Sequence, residues 1–346
     1  MGRPPLRVGI LHDFPRPDGG VSFEWAVRLG VGEVEAMGRL PAPMSFVHEP
    51  APDIAAAFAR LVDHGVLAIL GPALTDGALA VRPLADEAGV PCINYAGNDE
   101  ARSAWLFHFQ IGSLEDEPSL LVDDLVRRRL ARVALIQDTS RVGNRLAAFF
   151  RDAAQAAGCE VAAHVQVEPD GAGMAPAITM ARRAAPLALA FVGFWRAAHG
   201  VAGEMRTQGW SVPAVANSAL MYGHADPAWA GVWEGWTYVD TFSAANPRFA
   251  ALSRTAAAAG RTAGPGEAGA YDMGRLLAEG IARAPELTGA GIRAGLERVK
   301  ALPAATGHTG TLMGFGNWDR GALKGPYLVL REWRAGQSVE HPEPAP

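Results

Sequence analysis

Short apolar runs alternate along this chain with stretches whose apolar positions recur at helical spacing. Val8-Gly9-Ile10-Leu11 ends in polar His12-Asp13, passes the loop Pro15-Arg16-Pro17-Asp18-Gly19-Gly20 and enters a helical pattern over about 22–37. The same alternation predicts strands over 44–48, 66–70, 90–95 and 106–111, with helices over 53–64 and 76–88 between them. Strand–helix–strand order implies a parallel sheet with helices on both faces. A second series follows Glu115-Asp116-Glu117-Pro118. It predicts helices over 119–129, 145–157, 175–183 and 197–208, and strands over 133–136, 160–167, 187–191, 214–216 and 236–239. Beyond Ser243-Ala244-Ala245-Asn246-Pro247 the pattern gives helices over 248–259, 267–284 and 290–298, with too few strands for a third sheet. These helices are expected to cover one of the two earlier sheets. The run 327–333 reads as a final strand and 341–346 as an unstructured tail. The expected class is α/β: two Rossmann-like lobes with parallel sheets flanked by helices.

Two neighbouring strands of the first series end in polar loops, Gly71-Pro72-Ala73-Leu74-Thr75-Asp76 and Tyr95-Ala96-Gly97-Asn98. The carboxyl edge of an open α/β sheet is where small ligands sit, and Thr75 and Asn98 offer polar atoms there beside backbone amides. No nucleophile stands with its base in either loop, which points to a receptor. A length of 346 residues suits two domains, and 49% hydrophobic content is enough to bury two cores. Net charge is −5 and the basic residues are scattered, so no footprint for nucleic acid or an anionic membrane is present. Two cysteines, Cys92 and Cys159, form neither a metal spacing nor a disulfide framework and read as packed free thiols. No apolar run approaches a membrane span, and the N-terminal residues lack the apolar core of a secretion signal. A periplasmic or cell-surface protein whose signal has been removed fits this start, as does a cytoplasmic protein if Met1 is native.

With these elements in order, the chain resembles the type I periplasmic binding proteins, in particular the leucine/isoleucine/valine-binding receptors of ABC transporters and their amide-sensing relatives. The resemblance runs from Leu6 to about Arg334. It is carried by Val8-Gly9-Ile10-Leu11, Gly71-Pro72-Ala73-Leu74-Thr75, Val90-Pro91-Cys92-Ile93, Phe109-Gln110-Ile111, Ala270-Tyr271-Asp272 and Gly307-His308-Thr309-Gly310-Thr311-Leu312. It implies two lobes, 6–115 plus 245–322 and 118–241 plus 326–340, joined by three crossovers with a ligand cleft between them. The crossovers fall near 112–118, 241–247 and 320–326. The function implied is solute capture by hinge closure for an ABC permease, the ligand being a branched-chain or aromatic amino acid, a keto or aromatic acid, or an amide. A cytoplasmic amide sensor acting on a partner protein is the alternative. No cofactor and no metal are implied.

The resemblance also assigns residues. Leu74 and Thr75 would hold a ligand carboxylate through a hydroxyl and helix-start amides, Ala96, Gly97 and Asn98 would add a carbonyl and a polar side chain, and Phe194 or Trp195 would supply an aromatic from the second lobe. Two departures bear on the ligand: Val142-Gly143 stands where a tyrosine often precedes the glycine, and Asn217-Ser218 where an acidic residue often holds the α-ammonium. Asp18 or Asp13 would then be the ammonium's partner, because an unpaired buried charge costs several kcal/mol.

Each assignment has a plainer counterpart. Thr75 could cap a helix, Asn98 could shape a turn, and Trp229, Trp233 and Trp236 could pack a small core. His12 and His108 read as structural, and Tyr271-Asp272 is expected at a helix start, bordering the cleft or capping a turn. Gly289-Ala290-Gly291-Ile292-Arg293-Ala294 matches a dinucleotide fingerprint, but it follows a loop and helix instead of a strand, so no sheet would stand behind the phosphate cradle. Phosphate-loop, zinc-protease and nucleophile-elbow motifs are absent from the sequence, and the chain reads as a non-enzyme.

Overall fold

The structure, a computed structural model, describes residues 4–13, 18 and 20–341. Its first elements are β1 (Leu6–His12), α1 (Val21–Ala36), β2 (Met44–Pro50), α2 (Ile54–Asp63), β3 (Ala68–Leu70), α3 (Thr75–Ala88), β4 (Cys92–Asn94) and β5 (Leu106–His108). Then come α4 (Asp116–Arg127), β6 (Arg132–Asp138), α5 (Arg141–Ala156), β7 (Glu160–Val167), α6 (Met174–Arg183), β8 (Ala188–Val192), α7 (Trp195–Thr207), β9 (Ala214–Ala216), α8 (Pro227–Ala230) and β10 (Trp236–Asp240). The last are α9 (Pro247–Ala258), α10 (Pro265–Ala282), α11 (Gly289–Leu296), β11 (Leu302–Pro303), β12 (Leu312–Met313), β13 (Leu323–Lys324), β14 (Val329–Arg334) and β15 (Gln337–Glu340).

The chain divides into two compact units, the first comprising Met1–Ile111 and Thr241–Tyr327, the second Gly112–Asp240 and Leu328–Pro346. In the first unit a parallel sheet runs β2-β1-β3-β4-β5. The middle of β1, Val8–Leu11, and the whole of β3 are apolar because both faces of the sheet are covered. One face packs on α1, α9, α10 and α11 through Val8, Ile10, Val27, Phe249, Leu277 and Ile292, and the other on α2 and α3 through Phe58, Ile69 and Val81. Helices α1 and α10 approach until backbone meets backbone. A Cβ on Gly30 would lie 2.1 Å from the Tyr271 carbonyl oxygen, and one on Gly274 would lie 2.3 Å from that of Val27.

The second unit carries the sheet β15-β14-β10-β9-β8-β6-β7, parallel from β10 to β7, with β14 and β15 antiparallel at one edge. Helices α6 and α7 cover one face and α4 and α5 the other. The α/β class with two sheet-and-helix lobes is as expected.

Several expectations need correction. A third sheet, β11-β12-β13, does form in the first unit. Its strands are two residues long, too short for any alternation to show. The helix expected over 119–129 begins three residues earlier, because Asp116, Glu117 and Pro118 form the first turn of α4, where a proline's missing N–H costs nothing. Tyr271 and Asp272 lie inside α10, which begins at Pro265, so they are not at a helix start. The final strand is followed by a second, β15, and His341 is placed by its N–H donating to the Leu330 carbonyl. Most of the loop 15–20 and the tail 342–346 lie outside the described residues.

Candidate functional site

In a doubly wound sheet the loops on either side of the point where strand order reverses leave in opposite directions and open a crevice. In the first unit that point lies between β1 and β3. A small pocket stands there, lined by Ile10, Leu11, His12, Asp13, Phe23, Leu70, Gly71, Ala73 and Tyr95. Gly71 has φ of +106°, and a side chain there would drive into the Leu11 carbonyl 2.4 Å away, so the turn out of β3 requires glycine.

The Asp13 carboxylate crosses this point. Its Oδ1 accepts from the Ala73 N–H at 2.6 Å and its Oδ2 from the Leu74 N–H at 3.0 Å, at the start of α3. Gly77 leaves the room, since a Cβ there would lie 2.2 Å from Oδ2. Thr75 is the first helical residue and not the cap; Leu74 holds the cap position without a side-chain bond. Thr75 is half-buried, and its hydroxyl makes no hydrogen bond within the described residues.

Beside it, at the end of β4, Ala96 is buried, and its carbonyl accepts from His108 Nε2 at 2.7 Å. Arg102 Nε donates to His108 Nδ1 at 3.1 Å, which fixes the proton on Nε2. Burial holds this imidazole neutral, pushing its pKa down to about 4. His108 is therefore structural. Asn98 is buried and its Oδ1 accepts from the Glu100 N–H at 3.0 Å, capping a short 3₁₀ turn, while Gly97 is half-buried. Asp18 is exposed. Its two oxygens accept from the N–H groups of Gly20 and Ser22 at 3.0 and 2.7 Å, at the start of α1. Burial there raises its pKa less than the bonds from Ser22 and Gly20 lower it. The Tyr271 hydroxyl donates to Glu33 on α1.

His12 belongs to a polar chain that leads out of the pocket. Its ring stacks on His48, with centroids 5.0 Å apart, and Nε2 lies 2.8 Å from His48 Nδ1. His48 Nε2 is 2.5 Å from Glu24, which also pairs with Arg28. Tyr95 and Phe23 were missed as lining residues. Tyr95 ends a strand and could have been read from that; Phe23 reaches the pocket only by tertiary packing.

The second unit repeats the device at its own reversal, between β6 and β8. Asp138, fully buried, accepts from Ser140 N at 3.0 Å, from the Ser140 hydroxyl and from the Phe194 N–H at 2.5 Å. Phe194 caps α7, and Trp195 begins it, half-buried and stacked on Tyr222 with centroids 5.0 Å apart at 11°. Tyr222 meets Trp229 edge-on, and Trp233 and Trp236 are buried in the core behind them. Val142 is half-buried in the first turn of α5. Ser218 is engaged twice by Glu117, its N–H at 2.8 Å and its hydroxyl at 3.1 Å. Glu117 also accepts from Ser113 N at 2.9 Å. Burial pushes its pKa up to about 7 against these bonds.

Among the described residues no three His, Cys, Asp or Glu side chains gather as a metal site, and no helix is long and apolar enough to cross a membrane. The Gly289–Ala294 segment lies at the start of α11, capped by Thr288, with Gly289 and Gly291 pressed against backbone carbonyls of the protein itself.

The family model described as periplasmic binding protein matches residues 5–329. Among solved structures, the chain is similar to the branched-chain amino acid transporter substrate-binding protein LivJ from Streptococcus pneumoniae in complex with isoleucine. That likeness has a TM-score of 0.81 at 19% identity, covering 97% of this chain and 98% of that one. An ABC transporter substrate-binding protein from Desulfitobacterium hafniense in complex with Leu gives 0.82 at 17%, covering 98% and 100%. The leucine-binding protein LivK from Thermotoga maritima gives 0.79 at 18%, covering 97% and 98%. At such identities the likeness is one of fold. No curated protein sequence matches the chain. Matched over nearly its whole length and folded as two α/β units with mostly parallel sheets, the chain belongs to the periplasmic binding protein family and has the type I fold of the branched-chain amino acid binding proteins.

Proposed function

We propose that the chain is the solute-binding receptor of an ABC transporter and captures a small solute bearing a carboxylate or an amide. The observation that carries this reading is the pocket at the β1/β3 reversal of the first unit, at the place where this fold class holds ligands. Its lining holds no serine, threonine, cysteine or lysine nucleophile, which supports binding over catalysis. Thr75, next to that lining and with its hydroxyl unspent, is the leading contact, and Trp195 is its counterpart in the second unit. Leu74, Ala96, Asn98 and Ser218 already have polar groups engaged within the protein, so they support the site's shape more than its affinity. Export, delivery to a permease and capture by closure of the two units belong to the same proposal.

The test is a thermal-shift screen of branched-chain and aromatic amino acids, their keto acids, aliphatic amides and aromatic acids, since a ligand at a hundred times Kd adds about 2.7 kcal/mol. A solute that raises Tm should lose about 1–3 kcal/mol of affinity by calorimetry in Thr75→Ala. Unchanged affinity in that variant would place the site elsewhere.

A further inference from the structure

The carboxylate of Glu117 is buried, and every hydrogen bond it makes among the described residues brings it a donor. Its Oε1 accepts from the Ser113 N–H at 2.9 Å and from the Ser218 hydroxyl at 3.1 Å, and its Oε2 accepts from the Ser218 N–H at 2.8 Å. These donors come from two distant places in the chain. Ser113 follows Gly112, where the chain arrives from the first unit and enters the second, and Ser218 opens the short 3₁₀ turn after β9. Gly112 permits the approach, since a Cβ there would lie 2.0 Å from Oε1 and 3.2 Å from Ser218 Oγ.

A set made only of donors suits a carboxylate and not a carboxylic acid. A proton added to either oxygen makes that oxygen a donor and a poor acceptor, and each oxygen already holds a backbone N–H. The new O–H finds an acceptor within the set only if the Ser218 hydroxyl turns round. Protonation therefore costs at least one of the three bonds. The proton is within reach of ordinary conditions: burial, with the charge of Asp116 added, pushes the Glu117 pKa up to about 7 against the donors. Asp116 stands on the same turn of α4, and its carboxylate accepts from the Ser113 hydroxyl at 2.9 Å. The segments bonded to Glu117, 112–114 and 217–218, carry no charged side chain.

We propose that Glu117 is a proton-operated latch within the second unit: ionised, it fastens the chain's entry at Gly112 and Ser113 to the turn that carries Ser218, and protonated, it lets at least one of them go. The latch is set above neutral pH and released below it. On the binding reading above, a solute reaching Ser218 meets a turn whose anchoring changes with pH; the latch itself lies in one unit and stands or falls without that reading. The experiment is nuclear magnetic resonance of the full chain, isotope-labelled at backbone amides and glutamate carboxyl carbons and titrated from about pH 5.5 to about pH 8.5. As pH falls, the Glu117 carboxyl resonance should move with a midpoint at about pH 7, and the amide proton of Ser113, of Ser218 or of both should move upfield on the same curve as its bond to a carboxylate is lost. In Glu117→Gln those amide shifts should stay flat over the range. The native titration decides the matter if that variant fails to fold. The latch is overturned by a carboxyl resonance that titrates while both amides stay still, by one that does not move in this range, or by amide shifts that persist undiminished in folded Glu117→Gln.

Discussion

Glu117 shows how one side chain can carry a pH dependence for its unit. Three protein donors converge on its carboxylate, and a Cβ on Gly112 would lie 2.0 Å from Oε1, so water is kept out. Burial outweighs the donors and raises its pKa to about 7, well above the ordinary glutamate range. In that interval the folded chain keeps a proton that the unfolded chain has released. Its contribution to stability is thus complete at low pH and is lost as pH rises through about 7. Tm of Glu117→Gln measured relative to the native protein should therefore climb from about pH 5 to about pH 7 and level off above it. An equal slope in the variant would locate the titration elsewhere. His108 acts with the opposite sign: its pKa near 4 means stability is lost as pH falls below the ordinary histidine range.

At the scale of elements, helix starts and helix crossings decide most. The α1–α10 crossing is close because both helices offer glycine at the contact, Gly30 and Gly274. Gly30→Ala would press a methyl group into the Tyr271 carbonyl and should destabilise by about 1–3 kcal/mol. Gly32, on the same helix, has open space where a methyl group would stand, with nothing within 4 Å, so Gly32→Ala should stabilise by about 0.5–1 kcal/mol through helix propensity alone. Urea midpoints of the two variants, shifting in opposite directions, check the crossing. Equal shifts would mean that α1 is not held there by backbone contact.

For the whole molecule, capture by closure predicts a measurable contraction. Small-angle scattering should show a smaller radius of gyration with a saturating solute than without, because a ligand shifts a conformational equilibrium only through contacts it gains in one state. No contraction, with binding intact, would assign the solute to one unit alone. Two units need not unfold together, so a free energy of unfolding belongs to each unit and not to the chain as a whole.

Much of this was legible in sequence. The period of apolar positions marked nearly every strand and helix, since it reflects local geometry: two residues per strand repeat and 3.6 per helical turn. The spans over Glu160–Val167 and Ala214–Ala216 are those expected, and the pairing of Gly71 with a turn out of β3 follows from residue chemistry. Elements of two residues, such as β11 to β13, are shorter than any period and could be found only in the folded chain. The candidate site was legible as an edge, through loops ending in Thr75 and Asn98, but not as an arrangement of bonds. Asp13 lies 60 positions from Ala73 and Glu117 lies 101 from Ser218, and no local pattern encodes such partners. Sequence by itself determined the order of the elements and hence the fold class, because that information is carried by near neighbours. Which carboxylate fills which helix start was decided only by tertiary structure, because hydrogen bonds act through space.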